Sequence, residues 1–326
     1  MPRIFVTRSI PDNGLKLMRD ALGAGSVDVF PHDRVISRDE LFTGAKGADA
    51  LLPTLADPVD TAIMDTAGPQ LKIIANYAVG YNNIDVKAAT ERRIPVTNTP
   101  GVLTETTADL TWAILMDTAR RISEGERYVR GGKWQGWAPQ LLLGADVHGK
   151  TLGIFGMGRI GQAVARRAVG FGMRVVYTSR GRLEPFLERQ LNARLVDKAT
   201  LLAESDFISI HCPLLPETRH AFGAVEFKAM KKSACLINTS RGPVVDEAAL
   251  AAALKAGDIF AAGLDVFEEE PKIHPDLLTC ENAVLVPHLG SASLETRAKM
   301  AEIAASNIVA RLQGKTPPNC VNPEVL

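Results

Sequence analysis

Short runs of apolar, β-forming residues alternate with polar, helix-forming stretches along this chain. In its first part these runs cover residues 4–7, 27–30, 50–53, 71–76 and 95–98. Strands that alternate with helices are typical of βα units, in which successive strands lie parallel. The first hundred residues therefore predict one parallel sheet with helices packed against it.

A second series of apolar runs covers residues 151–155, 174–177, 207–211, 234–238, 261–265 and 283–287. Two long helix patterns flank this series. One begins at Thr104 and carries Ala108, Trp112, Leu115, Ala119 and Ile122 on one face, and the other covers residues 291–313 with Leu294, Ala298, Ala301, Ala305, Ile308 and Leu312. The glycine-rich and tryptophan-containing residues 131–139 cannot continue a helix and predict an extended segment. The whole pattern predicts an α/β protein with two doubly wound parallel sheets.

Composition narrows the class of partner. The 326 residues are 46% hydrophobic, which exceeds what one core usually serves and favours two domains. Lys plus Arg equals Asp plus Glu, 37 each, so no bulk charge favours nucleic acid or an anionic membrane. No apolar run is long enough to span a bilayer, and the N-terminal residues have the pattern of a strand and not of a signal peptide. The four cysteines are widely spaced and suggest neither a zinc site nor a disulfide framework. We expect a cytoplasmic protein with a small-molecule partner.

A glycine motif follows the first strand of the second series. The apolar residues 151–155 run into GxGxxG and then into a helix-forming stretch, and the motif comprises Gly156, Met157, Gly158, Arg159, Ile160 and Gly161. The first glycine permits the tight turn, the second lets the backbone approach a pyrophosphate, and the third lets helix pack on strand. An ordinary glycine-rich turn is the alternative, but the strand before and the strand after the motif favour dinucleotide binding.

The next strand ends in a basic turn, Thr178-Ser179-Arg180-Gly181-Arg182, where NAD-selective sites usually carry an acidic residue. Hydroxyl and guanidinium groups suit a 2′-phosphate, which a carboxylate would repel. Ser179 and Arg180 therefore predict a preference for NADPH with NADH possible, although a solvated basic turn would have the same sequence.

Three polar residues stand where later strands of the second sheet should end: Arg241, Glu270 and His288. Arg241 could bind a carboxylate and polarise a keto oxygen, and a protonated His288 could donate a proton to the developing alkoxide. Glu270 could orient the imidazole, and no metal is required. Taken singly, Arg241 could form a surface ion pair, Glu270 could be a solvated acid and His288 an ordinary loop histidine. Their spacing in the sequence does not place the three side chains together.

These motifs together resemble the D-isomer-specific 2-hydroxyacid dehydrogenase family over essentially the whole chain. The resemblance implies that Arg241, Glu270 and His288 form one catalytic set. It also implies that the backbone amides of Val79 and Gly80 hold the substrate carboxylate. Further positions that match cofactor-lining positions of the family are Cys212, Pro213, Thr218, Thr239, Asp265 and Gly290.

Within that family the chain is most similar to NADPH-preferring glyoxylate/hydroxypyruvate reductases. The cue is Trp134-x-x-Trp137-x-Pro, because a tryptophan of this segment reaches the partner subunit's substrate site in that subgroup, and Trp137 matches it. The resemblance thus implies reduction of glyoxylate or hydroxypyruvate to glycolate or D-glycerate in a homodimer. A D-lactate or phosphoglycerate dehydrogenase is an alternative, and a dinucleotide-sensing corepressor is a more distant one.

The resemblance also implies how the domains are organised. Residues 1–100 and 290–326 would form a discontinuous, flavodoxin-like substrate domain. Residues 101–289 would form an inserted Rossmann domain that binds NAD(P) and includes a dimerisation arm near residues 120–148. The active cleft would lie at the hinge between the two domains and close on the substrate.

Overall fold

The structure is a computed structural model that describes residues 1–326. Its residues form two compact units: Met1–Leu103 with Ser291–Leu326, and the continuous segment Thr104–Gly290. The first unit thus contains both ends of the chain. The roles in substrate and cofactor binding that the sequence assigns to such units remain predictions.

The first unit contains a five-stranded parallel sheet of order β2-β1-β3-β4-β5, the order of flavodoxin-like folds. The strands are β1 Ile4–Val6, β2 Val27–Val29, β3 Ala50–Leu52, β4 Ile73–Ala75 and β5 Val96–Thr97. The helices between them are α1 Asp12–Leu22, α2 Arg38–Ala45, α3 Thr61–Ala67 and α4 Val86–Glu91.

The second unit contains a seven-stranded parallel sheet of order β12-β11-β10-β9-β6-β7-β8, which is the Rossmann order with one strand added. Its strands are β6 Thr151–Phe155, β7 Arg174–Thr178, β8 Ala193–Leu195, β9 Phe207–Ile210, β10 Cys235–Asn238, β11 Ala261–Leu264 and β12 Ala283–Leu285. Its helices are α5 Thr104–Arg120, α6 Ile122–Arg130, α7 Arg159–Gly170, α8 Pro185–Gln190, α9 Lys198–Glu204, α10 Ala224–Ala229, α11 Glu247–Ala256 and α12 Pro275–Leu278. The fold predicted from the pattern, two doubly wound parallel sheets, is confirmed.

One further helix, α13 Leu294–Leu312, belongs to the first unit and packs against α1. Ser293 caps it by accepting the amide of Thr296. None of the thirteen helices has both the length and the apolar composition that a membrane crossing requires.

Apolar residues on both sides of the inner strands explain why the sheets are covered on both faces. In β1, Ile4 belongs to a core cluster with Leu52 and α13, whereas its neighbour Phe5 belongs to another cluster with Leu51. Strands buried on both faces are typical of parallel sheets. Several of the helices that cover them begin at residues whose side-chain oxygen accepts a first-turn amide, as at Ser37, Asp60, Asp85, Asp197 and Asp246.

Two long-helix predictions need correction. The helix that begins at Thr104 ends at Arg120, because Arg121 adopts a left-handed conformation with φ 54°, and a second helix starts at Ile122. Ile122 is consequently 56% exposed rather than part of the buried stripe. Leu294, placed by periodicity on the buried face, lies in the first turn of α13 and is 88% exposed.

Candidate active site

The glycine motif forms the turn between β6 and α7. Gly156 has φ 106°, and a Cβ atom there would lie 2.7 Å from the backbone nitrogen of Cys212. At Gly161 a Cβ would lie 2.3 Å from the carbonyl oxygen of Gly156, whereas at Gly158 it would meet nothing within 4 Å. No side chain caps α7, so no cap occupies the amides of its first turn. Free amides beside an unobstructed backbone fit the pyrophosphate of a dinucleotide.

The basic turn follows β7 at the same edge of the sheet. Ser179 and Arg180 are exposed, and Arg180 makes no hydrogen bond or ion pair within the chain. Arg182, by contrast, is paired with Glu188, with 2.8 Å between Nη2 and Oε2. Arg180 is therefore unpaired, whereas Nε and Nη2 of Arg182 are engaged by Glu188. The sequence offered no signal for the pairing, because Glu188 looks like any other helical acid.

The three candidate catalytic residues follow three neighbouring strands. Arg241 comes after β10, Glu270 after β11 and His288 after β12, all at the carboxyl edge of the sheet. The Nδ1 atom of His288 lies 2.8 Å from Oε2 of Glu270. The other carboxylate oxygen, Oε1, accepts the amide of Phe267 at 3.0 Å. The fold thus brings an acid and an imidazole together in a fixed orientation.

Charge and burial act on this group. Burial alone would raise the pKa of Glu270, but the hydrogen bond and charge of His288, the Phe267 amide and the charge of Arg241 together hold the pKa below its usual value. Burial lowers the pKa of Arg241, against the opposing effect of Glu270. A guanidinium remains protonated in either case. Arg241 therefore brings positive charge close to the Glu270 carboxylate.

Asp265 holds the segment that carries His288. This residue is fully buried, and its two oxygens accept the amides of Leu289 at 2.5 Å and Gly290 at 2.9 Å. The amide of His288, which has φ 53°, donates to the Asp265 carbonyl at 3.0 Å. Burial raises the pKa of Asp265 to about 6 although both amides lower it. The sequence assigned Asp265 only to the cofactor and missed this positioning contact.

The remaining predicted cofactor residues line the same edge of the sheet. Cys212 and Pro213 follow β9, and Thr218 closes their loop by donating to the Pro213 carbonyl at 2.7 Å. Thr239 follows β10, and its hydroxyl lies 2.8 Å from that of Thr111. Burial raises the pKa of the Cys212 thiol to about 11, so this thiol stays protonated near neutral pH.

The loop of Val79 and Gly80 lies in the first unit and follows β4. Their carbonyl oxygens accept the side-chain amides of Asn98 and Asn76, both at 2.8 Å. Their own backbone amides donate to no group of the chain. Two backbone amides without an acceptor, in a loop that two asparagine side chains hold in place, suit a carboxylate ligand. The sequence alone did not identify Asn76 and Asn98 as residues that position this loop.

The predicted arm, near residues 120–148, includes helix α6 and most of the segment between α6 and β6. Residues 131–140 are exposed throughout and form neither helix nor strand. Trp137 is 85% exposed and Trp134 57%. Trp137 is therefore almost uncovered by the rest of the chain, and more than half of Trp134 is uncovered.

A dinucleotide-binding sheet that carries an arginine and a carboxylate–imidazole pair at its carboxyl edge defines a nicotinamide-dependent oxidoreductase. Comparison with known proteins specifies the class. Residues 112–290 match the family model described as D-isomer specific 2-hydroxyacid dehydrogenase, NAD binding domain. The chain belongs to the D-isomer-specific 2-hydroxyacid dehydrogenase family and uses a nicotinamide dinucleotide.

Individual relatives agree with this assignment. A glyoxylate reductase of Korarchaeum cryptofilum is 53% identical, with 100% of this chain and 97% of the relative covered. A protein of Thermus thermophilus has a crystal structure that superposes with a TM-score of 0.90 at 47% identity, covering 98% and 99% of the two chains. An NADPH-dependent glyoxylate/hydroxypyruvate reductase of Sinorhizobium meliloti was crystallised with NADP and malonate. Its structure superposes with a TM-score of 0.83 at 33% identity, covering 98% of this chain and 96% of that one.

Proposed function

We propose that the protein reduces glyoxylate, hydroxypyruvate or both to the corresponding 2-hydroxy acid, glycolate or D-glycerate, with NADPH as the reductant. The observation that carries this proposal is the 2.8 Å contact between His288 and Glu270 beside Arg241 at the edge that also carries the glycine motif. Relatives named glyoxylate reductase, which align over the full chain, support the choice of substrate.

The chain's residues divide the work of carbonyl reduction. The guanidinium of Arg241 binds the substrate carboxylate and polarises the keto oxygen. The bound cofactor supplies the hydride. Protonated His288 donates its proton to the oxygen that becomes the hydroxyl, and in the reverse direction the neutral imidazole is the base. Glu270 accepts from Nδ1, which leaves Nε2 to face the substrate.

Substrate and cofactor contacts extend beyond this group. The free amides of Val79 and Gly80 are proposed to bind the substrate carboxylate. The amides that follow Gly158 would hold the pyrophosphate, and Ser179 with Arg180 would bind the 2′-phosphate of NADPH. Residues proposed to line the rest of the cofactor site are Met157, Arg159, Ile160, Cys212, Pro213, Thr218, Thr239, Asp265 and Gly290.

The exposed arm supports a homodimer as the working assembly. Exposed tryptophans are costly in water, and aromatic residues are enriched in subunit interfaces. We propose that the arm packs on a second copy of the chain and that Trp137 contributes to the partner's substrate site. The cytoplasmic location expected from the sequence stays a prediction.

Steady-state oxidation of NADPH and NADH, with glyoxylate, hydroxypyruvate and pyruvate as acceptors, tests the proposal. Fast turnover of NADPH with the first two acceptors is expected. Activity chiefly with NADH and pyruvate would favour the D-lactate dehydrogenase alternative, and reduction of phosphohydroxypyruvate alone, assayed as a fourth acceptor, would favour the phosphoglycerate one. Absence of turnover with every pair would refute the enzymatic role and favour a dinucleotide-sensing protein.

A further inference from the structure

The turn that is proposed to bind the 2′-phosphate is attached to the fold at very few points. Residues 179–183 form no backbone-to-backbone hydrogen bond with any part of the chain. Ser179, Arg180, Gly181 and Arg182 are all exposed. A segment of this kind samples many conformations unless side chains hold it, and ordering it on binding costs free energy.

A buried side-chain network supplies the missing attachments. The hydroxyl of Tyr177, a fully buried residue of β7, accepts the amide of Leu183 at 2.9 Å and donates to Glu188 at 2.7 Å. Glu188, which is 8% exposed, also accepts from Nε and Nη2 of Arg182, the shortest contact being 2.8 Å. One phenol and one carboxylate therefore make every hydrogen bond that ties residues 179–183 to the fold.

Electrostatics keep this network in one protonation state. The hydrogen bonds from Arg182 and Tyr177 hold the pKa of Glu188 below its usual value. Burial raises the pKa of the Tyr177 phenol. Glu188 is thus an anion and Tyr177 a neutral donor across the physiological range, and the Arg182 charge is compensated within the chain.

We propose that the Tyr177–Glu188–Arg182 network is a positioning device for cofactor selectivity, which holds the turn so that Arg180 alone meets the 2′-phosphate. This inference rests on the proposed preference for NADPH. Arg182 is a positioning residue here, because its guanidinium is already engaged by Glu188 on the side facing α8. The network discriminates NADPH from NADH without itself contacting either cofactor.

The test compares binding of 2′,5′-ADP and 5′-AMP by titration calorimetry in the wild type, Tyr177→Phe and Glu188→Ala, with the NADPH-to-NADH ratio of kcat/KM measured in parallel. Because each variant removes hydrogen bonds that hold the turn to a buried charged group, we expect each to lose about tenfold or more in affinity for 2′,5′-ADP. Affinity for 5′-AMP and kcat with NADH should change by less than about twofold. Arg189→Ala, which removes a positive charge from the same helix and breaks no network contact, is the matched control.

The outcomes separate the two proposals. A wild type that binds both nucleotides equally well would refute the NADPH preference and with it the positioning role. A selective wild type whose Tyr177→Phe variant keeps full selectivity would refute the positioning role alone. Tighter binding of 2′,5′-ADP by Glu188→Ala would also overturn it, because release of Arg182 would then add a phosphate contact instead of loosening the turn.

Discussion

Replacement of Glu270 by Gln tests how much the acid contributes to catalysis. The carboxylate lies 2.8 Å from Nδ1 of His288, and the two side chains are 30% and 28% exposed. The amide oxygen of Gln could still accept from Nδ1, so the variant keeps the shape of the contact and loses its charge. Hydrogen bonds to charged groups contribute about 1.5–3 kcal/mol, and partial exposure favours the lower figure. A loss of about 1.5 kcal/mol predicts a roughly tenfold fall in kcat/KM for glyoxylate.

The pH dependence of that loss follows from the lowered pKa of Glu270. A carboxyl group whose pKa lies below its ordinary value of 4.5 is ionised throughout the neutral range. The interaction is therefore fully present above pH 4.5 and is lost only as the pH falls through the lowered pKa. Ionisation of Glu270 should therefore add no pH dependence to the wild-type kcat/KM between about pH 6 and pH 8.

The assay is the initial rate of NADPH oxidation at subsaturating glyoxylate, with Glu269→Gln as the control. Glu269 is the exposed neighbour of Glu270, and its side chain forms no hydrogen bond. The control should match the wild type. Equal rates for Glu270→Gln and wild type would refute the assignment of Glu270 as the group that orients His288.

Four further substitutions probe other parts of the site. Arg241→Ala should lower kcat/KM by about a hundredfold or more while calorimetry still detects NADPH binding, because Arg241 is assigned to the substrate. Arg180→Ala should weaken NADPH binding by about tenfold and leave NADH binding nearly unchanged. Trp137→Ala should raise KM for hydroxypyruvate or shift sedimentation toward the monomer, with the melting temperature of the second unit little changed. Asp265→Asn removes a buried carboxyl whose pKa is raised from 3.8 to about 6. The folded wild type holds this proton more tightly than the unfolded chain, so its free energy of unfolding should fall as the pH rises from 3.8 to about 6. The variant should not show this fall.

Each of these has a contrary result. Loss of NADPH binding in Arg241→Ala would reassign that residue to the cofactor, and equal losses for both cofactors in Arg180→Ala would show that the turn does not bind the 2′-phosphate. Unchanged KM and sedimentation in Trp137→Ala would exclude the arm from both the interface and the site. Parallel stability curves for Asp265→Asn and wild type would mean that Asp265 titrates normally in the folded protein.

Local sequence was enough for eleven of the twelve strands and for the dinucleotide turn. An apolar run such as residues 151–155 can be recognised from its own residues, and the structure buries nearly all of it. The glycines at positions 156 and 161 are required because a Cβ atom there would collide with the backbone. The edge strand β8, Ala193–Leu195, was missed because its alternating half-buried and exposed residues include Arg194 and give no apolar run. The exposure of Leu294 was also missed, because periodicity identifies a helix face but not how far the first turn extends beyond its neighbours.

Tertiary structure alone decided which polar groups meet. Residue types nominated Arg241, Glu270 and His288, but only the adjacency of β10, β11 and β12 brings an acid to its histidine. The pairing of Arg182 with Glu188, only six residues apart, depends on the path of the turn into α8, and it leaves Arg180 unpaired. The physical reason for this difference is that the periodic spacing of apolar residues, which predicts helices, strands and their buried faces, is a property of residues that are neighbours in the chain. A hydrogen bond between distant residues depends instead on strand order and loop path, which the long-range packing of the apolar core selects.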